Sequence, residues 1–212
     1  MSDVNLQLVR EFFELNLFRV LTHWQQDAFR QPVGDHSVRL YVENSQVTFP
    51  RDLDFVLTAN QVRTLARAVV EVRAWHADRF YPSVIENNPV LSEFVKEEGL
   101  AVAGGIFDGR PFTTILVISE LPQSPEPRAR ALQLLGEAGI GHILEFPTIL
   151  QDMLSALNVN SAYTGSQTLQ TLRLLKRYRL IRYQQMEFAF PMEAPPSARP
   201  AVVETSVAPD VE

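Results

Sequence analysis

Apolar residues recur at three- and four-residue steps near the start of the chain. Val9, Phe13 and Leu17 share one face of a helix drawn over residues 3–29. Seven of the ten residues in the stretch 12–21 are apolar. The pattern therefore predicts a long first helix that is buried around most of its circumference.

Further along the chain, the apolar pattern becomes that of β-strands. Val38–Glu43 alternates between apolar and polar residues, and Asp52–Leu57 reads as a second strand that starts with two acidic residues. Phe112–Ser119 is apolar enough to predict a central strand of a parallel sheet. Leu100–Phe107 and His142–Phe146 are also predicted to be strands.

Helical patterns follow several of these strands. The predicted helices are Ser83–Glu98 ended by Gly99, Glu126–Ala138 ended by Gly139, Pro147–Leu157, and Ser166–Leu180 with Ser166 and Thr164 as candidate caps. Alternation of strands and helices after residue 100 predicts an α/β fold with parallel pairing. The glycines of Ala103–Gly109 lack the spacing of a nucleotide-binding loop, so we interpret this segment as a hairpin.

Residues 58–80 fit two structures equally well by periodicity. Thr58 and Gln61 form a capping box, which favours one long helix. Ala68–Ala74 is dense in β-branched residues, and period two would place Glu71 and Arg73 on the same face of a strand. Periodicity alone leaves both alternatives open.

Length and composition exclude several classes of protein. The chain has 212 residues and no cysteine, which excludes thiol catalysis, disulfides and thiolate metal sites. Residues 184–212 carry −4 of the net charge of −6, which leaves −2 for residues 1–183. We expect a single domain over 1–183 and a largely disordered, acidic, Pro/Ala-rich tail over 184–212 that contacts a protein partner.

The same sequence gives an expectation about location. No apolar run approaches the length of a membrane span, and the first residues lack the basic region of a signal peptide. A cytoplasmic location and no membrane association follow as expectations.

The best candidate for chemistry is a pair of carboxylates with a cation beside them. Asp54 lies in the predicted second strand, and Glu71 and Arg73 lie in the segment 68–74. Two carboxylates on adjacent strands can hold Mg²⁺, and a neighbouring cation can stabilise the charge that develops on a phosphate. This spacing by itself is weakly specific.

The order of the predicted elements adds to this spacing. A helix, a strand, DLDFVL with Asp54, VVEVRAWH with Glu71 and Arg73, a helix and a strand together resemble the αβββαβ core of the PD-(D/E)XK, or restriction-endonuclease-like, superfamily over about residues 5–146. The resemblance implies a mixed sheet flanked by helices, with segment 68–74 as a strand that pairs with Asp52–Leu57.

The resemblance also implies an activity and a set of site residues. It implies Mg²⁺-dependent cleavage of phosphodiesters in nucleic acid, with Asp54 and Glu71 as metal ligands and Glu14 as a supporting acid. Arg73 stands at the position of the motif's lysine. Because a guanidinium holds a phosphate but is poorly suited to exchange a proton, we expect weak or absent turnover. The alternative is a non-catalytic interaction or scaffold protein on the same core.

Two other features are candidates for binding. The four histidines lack the spacing of a zinc site, although His76 follows the candidate site closely enough for a substrate to touch it. Near the end of the predicted last helix, cations are interleaved with apolar residues, and a nucleic acid would contact Arg173, Lys176, Arg177, Tyr178 and Arg179. An amphipathic helix with solvated or paired arginines is the alternative interpretation.

Overall fold

A computed structural model describes residues 3–22, 39–47 and 53–181 of the chain. A five-stranded sheet has the order β1 (Arg19–Thr22), β2 (Arg39–Glu43), β3 (Arg67–Arg73), β4 (Thr113–Ile118) and β5 (His142–Glu145). β1, β2 and β3 pair antiparallel, whereas β3, β4 and β5 pair parallel. The predicted mixed sheet is therefore confirmed.

Helices cover both faces of this sheet. They are α1 (Asp3–Leu15), α2 (Ala59–Val62), α3 (Pro82–Glu86), α4 (Glu97–Ile106), α5 (Pro125–Glu137), α6 (Phe146–Ala156) and α7 (Gln167–Arg177), with a 3-10 helix at Pro89–Val95. α1, α6 and α7 share a core with Val70 of β3. α3, α4 and α5 share a second core with Val69. Consecutive β3 residues thus face opposite sides of the sheet.

The ambiguous segment 58–80 contains both of the structures that its sequence favours. The capping box is present, since Thr58 Oγ1 accepts from the Gln61 amide and Gln61 Oε1 accepts from the Thr58 amide at 3.0 Å. Helix α2 nevertheless ends after one turn, and the predicted strand over Ala68–Ala74 is confirmed as β3. β-branched residues that are buried on both faces favour the extended backbone there.

The predicted partner of this strand was wrong. β3 pairs with β2 and β4. The described part of Asp52–Leu57 forms no strand, and residues 55–57 instead bond to Ile143 of β5 through one parallel bridge, with Leu57 N to Ile143 O at 2.9 Å. This segment therefore lies at the edge of β5 that faces away from β4.

The predicted first helix was too long. Helix α1 ends at Leu15, Leu17 adopts a left-handed backbone with φ 67°, and β1 begins at Arg19. Asn16 donates its side-chain amide to Phe12 O at 2.9 Å and so satisfies a carbonyl at the end of the helix. The apolar run over 12–21 is a helix end followed by a strand, and the remainder of the predicted helix, 23–29, lies outside the described residues.

Two predictions around residues 83–107 were also wrong. Pro89 interrupts the helix expected over 83–98, because proline has no amide to donate. The segment predicted as a strand over 100–107 belongs to helix α4, so the glycines within 103–109 do not form a hairpin. Gly99 lies inside α4, where a Cβ atom would approach the Phe94 carbonyl oxygen to 2.5 Å.

The later elements agree with the sequence patterns. β4, α5, β5, α6 and α7 lie within a residue or a few residues of their predicted bounds, Gly139 follows α5 with φ 83°, and Ser166 caps α7. The predicted tail over 184–212 lies outside the described residues. Within residues 3–22, 39–47 and 53–181, no helix is long and apolar enough to span a membrane.

Candidate functional site

Glu71 lies in the middle of β3 and is only 1% exposed. Its Oε1 accepts a hydrogen bond from Arg73 Nε at 2.8 Å, and its Oε2 accepts one from Arg39 Nε at 3.2 Å. Arg39 stands directly opposite Glu71 in the register between β2 and β3. We call Arg39, Glu71 and Arg73 the Glu71 cluster, in which both carboxylate oxygens already have a guanidinium donor.

Burial dominates the electrostatics of the Glu71 cluster. Desolvation raises the pKa of the Glu71 carboxyl, and this effect exceeds the opposing attraction of Arg73 and Arg39. Arg73 is itself buried within the sheet. The cluster is therefore a set of coupled charges, in which loss of Glu71 would remove a buried ion-pair partner from Arg73.

Asp54 lies far from this cluster. It is exposed, its Oδ2 accepts from Gln61 Nε2 at 2.9 Å, and its backbone carbonyl contacts His142 Nδ1 at 2.9 Å. The segment that carries Asp54 lies beyond β5, three strand spacings or about 14 Å from β3. The structure thus does not bring together the two carboxylates that the sequence predicted to share a site.

Glu14 is also separated from Glu71. It lies on the exposed side of α1 and pairs with Arg10 Nε at 2.8 Å. Helix α1 packs on the sheet face that carries Val70, whereas Glu71 belongs to the face of Val69. The sheet therefore lies between Glu14 and Glu71. Within the described ranges, no three His, Asp or Glu side chains form a group that could hold a metal ion.

A cleft of about 440 Å³ opens where β3, β4 and β5 end. Its lining comes from residues 76–79 and Tyr81 after β3, from Ser119 and Glu120 after β4, and from the start of α6 up to Leu150. The carboxyl ends of parallel strands are where open α/β sheets most often bind ligands. The sequence pattern indicates His76 but none of its neighbours in the cleft, because nothing in their spacing shows that three loops converge.

Polar contacts hold the cleft loops together. Arg79 Nε pairs with Glu120 Oε1 at 3.1 Å, and this hydrogen bond raises the pKa of the Arg79 guanidinium. Ser119 Oγ donates to the Asp78 carbonyl at 2.9 Å, and the Phe80 amide donates to the Glu120 carbonyl at 2.9 Å. These bonds fasten the segment after β3 to the end of β4.

His76 is held from two sides at this cleft. Its Nε2 lies 3.1 Å from Asn5 Oδ1, and Asn5 Nδ2 donates to the Ala74 carbonyl at 2.9 Å. The rings of His76 and Phe146 pack edge to face, with their centroids 4.7 Å apart and their planes at 82°. The ring orientation is therefore fixed by both a polar and an aromatic neighbour.

The predicted nucleic-acid contacts near the end of α7 divide into two groups. Lys176 Nζ donates to the Leu157 carbonyl at 2.7 Å and also to Leu154 O, and Arg173 Nη1 donates to Val159 O at 3.0 Å. These two cations hold backbone carbonyls at and beyond the end of α6. In contrast, Arg177, Tyr178 and Arg179 are exposed, Tyr178 to 67%.

Comparison of the chain with protein-family models, with curated proteins and with solved structures finds no match.

Proposed function

We propose that the chain is a degenerate PD-(D/E)XK-like domain that acts by binding and does not cleave phosphodiesters. The observation that carries this proposal is the engagement of both Glu71 oxygens by Arg73 and Arg39. A divalent cation would have to displace a guanidinium from a buried carboxylate. Glu71 is therefore better suited to be a structural counter-ion than a metal ligand.

The order of elements is the one that the resemblance expects, although β1 takes the place of the strand predicted over Asp52–Leu57. The chain runs through α1, β1, β2 and β3, then through helices, and then into β4. Apart from the single turn of α2 between β2 and β3, this is the order αβββαβ. The position opposite Glu71 on β2 is occupied by Arg39, where a two-carboxylate metal site needs an acid on the adjacent strand. The core order is thus consistent with the superfamily, while the charge pattern at its centre differs.

The test is a search for metal binding and cleavage in the full chain. We expect no rise in melting temperature with Mg²⁺ or Mn²⁺ and no cleavage of plasmid or single-stranded DNA, in the wild type and in Arg73→Lys alike. Asp54→Asn and Glu71→Gln serve as matched variants. Metal-dependent cleavage that either of these two variants abolishes would overturn the proposal in favour of an active nuclease.

A specific observation favours single-stranded nucleic acid as the ligand of such a domain. Arg177 and Arg179 flank Tyr178 in the sequence, and all three are exposed where α7 ends. Cations contact phosphates and an aromatic ring stacks on a base, a combination typical of single-strand binding. The near-neutral body leaves this segment as the candidate surface for a polyanion.

Fluorescence anisotropy with a labelled single-stranded oligonucleotide tests this surface. We expect the double variant Arg177→Gln/Tyr178→Ala to weaken binding and to reduce its salt dependence, since one phosphate contact is lost. Arg130→Gln, an exposed arginine on α5, is the control. Equal affinities of the wild type, the double variant and the control would refute this interface.

A further inference from the structure

The tautomer of the neutral His76 ring follows from its neighbour Asn5. The Ala74 carbonyl only accepts hydrogen bonds, so the atom of Asn5 that faces it at 2.9 Å must be the amide nitrogen. The oxygen of Asn5 then faces His76 Nε2 at 3.1 Å and requires a donor there. Neutral His76 therefore carries its hydrogen on Nε2, and Nδ1 remains a hydrogen-bond acceptor.

The other polar groups of the cleft also offer acceptors. Ser119 donates its hydroxyl hydrogen to the Asp78 carbonyl, so the lone pairs of its oxygen remain available to accept a hydrogen bond. Glu120 pairs with Arg79 through Oε1, which leaves Oε2 as an acceptor. The Asp78 carboxylate is exposed. The cation of the lining, Arg79, is paired with Glu120 through its Nε and also contacts the Tyr81 side chain.

Charge and shape narrow the ligand class further. Asp78 and Glu120 against Arg79 give the lining a net charge of −1 when His76 is neutral. Phe146 and the half-exposed ring of Tyr81 add aromatic surface, which attracts cations to its face. A cavity of about 440 Å³ is within the size range of small-ligand sites.

From these contacts we infer that the cleft binds an organic cation, the guanidinium or primary ammonium group of a small ligand or of a basic side chain. Asp78 and Glu120 supply the opposite charge, His76 Nδ1 and Ser119 Oγ accept hydrogen bonds, and Tyr81 and Phe146 contact the apolar part. An anion would meet two carboxylates and only one cation, which is already paired. This site goes beyond the proposed function, because it shares no side chain with the Glu71 cluster.

An NMR titration of the full chain with ethylguanidinium chloride tests the ligand class. We expect saturable shifts of backbone amides within residues 76–81 and 119–120. Loss of one exposed charge contact in Asp78→Asn should weaken binding about two- to fivefold. Asp108→Asn changes an exposed aspartate in the turn after α4 and should leave the affinity unchanged.

Three outcomes would overturn the inference. They are shifts scattered over the whole protein, equal weakening by Asp78→Asn and Asp108→Asn, or saturable shifts of the same amides with sodium acetate and none with ethylguanidinium. Each of them leaves the proposed function untouched, since that function is tested by metal, cleavage and the Glu71 variants.

The acceptor role of His76 has its own readout. Long-range ¹H–¹⁵N spectra of the neutral imidazole should show the hydrogen on Nε2, and this preference should weaken in Asn5→Ala. His76→Phe keeps an aromatic ring beside Phe146 but removes the acceptor, so it should weaken ethylguanidinium binding. A hydrogen on Nδ1 in the wild type, or full affinity in His76→Phe, would contradict the assignment.

Discussion

Along β3 and just beyond its end, the protein places polar side chains in two opposite situations. Glu71 and Arg73 lie inside the sheet and satisfy each other with the help of Arg39. His76 and Asp78 follow the strand within a few residues, face an open cleft and keep unused acceptors. Burial forces polar groups to be paired, whereas the strand end leaves them available for a ligand.

Removal of the Glu71 carboxylate should have the largest effect on the free energy of unfolding. Glu71→Leu removes the buried carboxylate that accepts from Arg73 and Arg39, and we expect the free energy of unfolding to fall by about 3–5 kcal/mol in urea denaturation. Glu14→Leu removes the exposed pair with Arg10 and should cost about 0.2–1 kcal/mol. Similar losses in both variants would show that the Glu71 cluster is no more important than a surface pair.

The packing around the cluster can be tested at Gly99. A Cβ atom there would meet the Phe94 carbonyl oxygen at 2.5 Å and Arg39 Nη1 at 3.2 Å, so Gly99→Ala should destabilise by about 1–3 kcal/mol. Gly104 lies in the same helix with nothing within 4 Å of its would-be Cβ. Gly104→Ala should therefore stabilise by about 0.5–1 kcal/mol, as measured by thermal and urea unfolding. A stabilising Gly99→Ala would contradict this packing.

The pH dependence of stability gives a further test of the buried Glu71 carboxyl. Since the pKa of Glu71 is raised above its ordinary value of 4.5, its proton is held more tightly in the folded state. The stability that this proton contributes is fully present below that ordinary value and is lost as the pH rises through the folded-state pKa. The stability of the wild type relative to Glu71→Gln should thus decrease from about pH 4.5 upward. A difference that does not vary between pH 4.5 and 7.5 would speak against it.

The cleft should show the smallest effect on folding. Asp78→Asn changes an exposed carboxylate, and we expect the free energy of unfolding to stay within about 0.5 kcal/mol of the wild type. Thermal unfolding without ligand measures this directly. A loss as large as that of Gly99→Ala would place the cleft among the structural elements of the fold and remove the contrast.

Local patterns in the sequence predicted β3 and most elements of the second half of the chain. The β-branched run at 68–74 and the apolar run at 112–119 became β3 and β4, since both strands are buried on two faces. The helix predicted over 3–29 failed because apolar residues continue from α1 into β1 without a marker other than Asn16. The 100–107 segment failed because small residues such as Ala103 fit a helix that packs closely on the sheet.

The candidate site was predictable only in part. Glu71 and Arg73 do share a face of β3, as period two requires. Asp54 was predicted to lie beside them because its segment precedes theirs in the chain. Which strands become neighbours, and in which register, depends on long-range contacts that local patterns do not show. Arg39, the partner of Glu71 on the neighbouring strand, is 32 residues away in the sequence, and no local pattern indicates that the two meet.

The hydrogen bonds from Lys176 to carbonyls at the end of α6 also affect which lysine amine a labelling reagent reaches first. The chain has two lysines, and the other, Lys96, is largely exposed beside Glu93. Lys176 Nζ is held against the Leu154 and Leu157 carbonyl oxygens, so a reagent reaches it less easily than it reaches an exposed amine. Amine-directed labels and cross-linkers should therefore attach to Lys96 in preference to Lys176. Labelling at Lys176 would then report the detachment of α7 from α6.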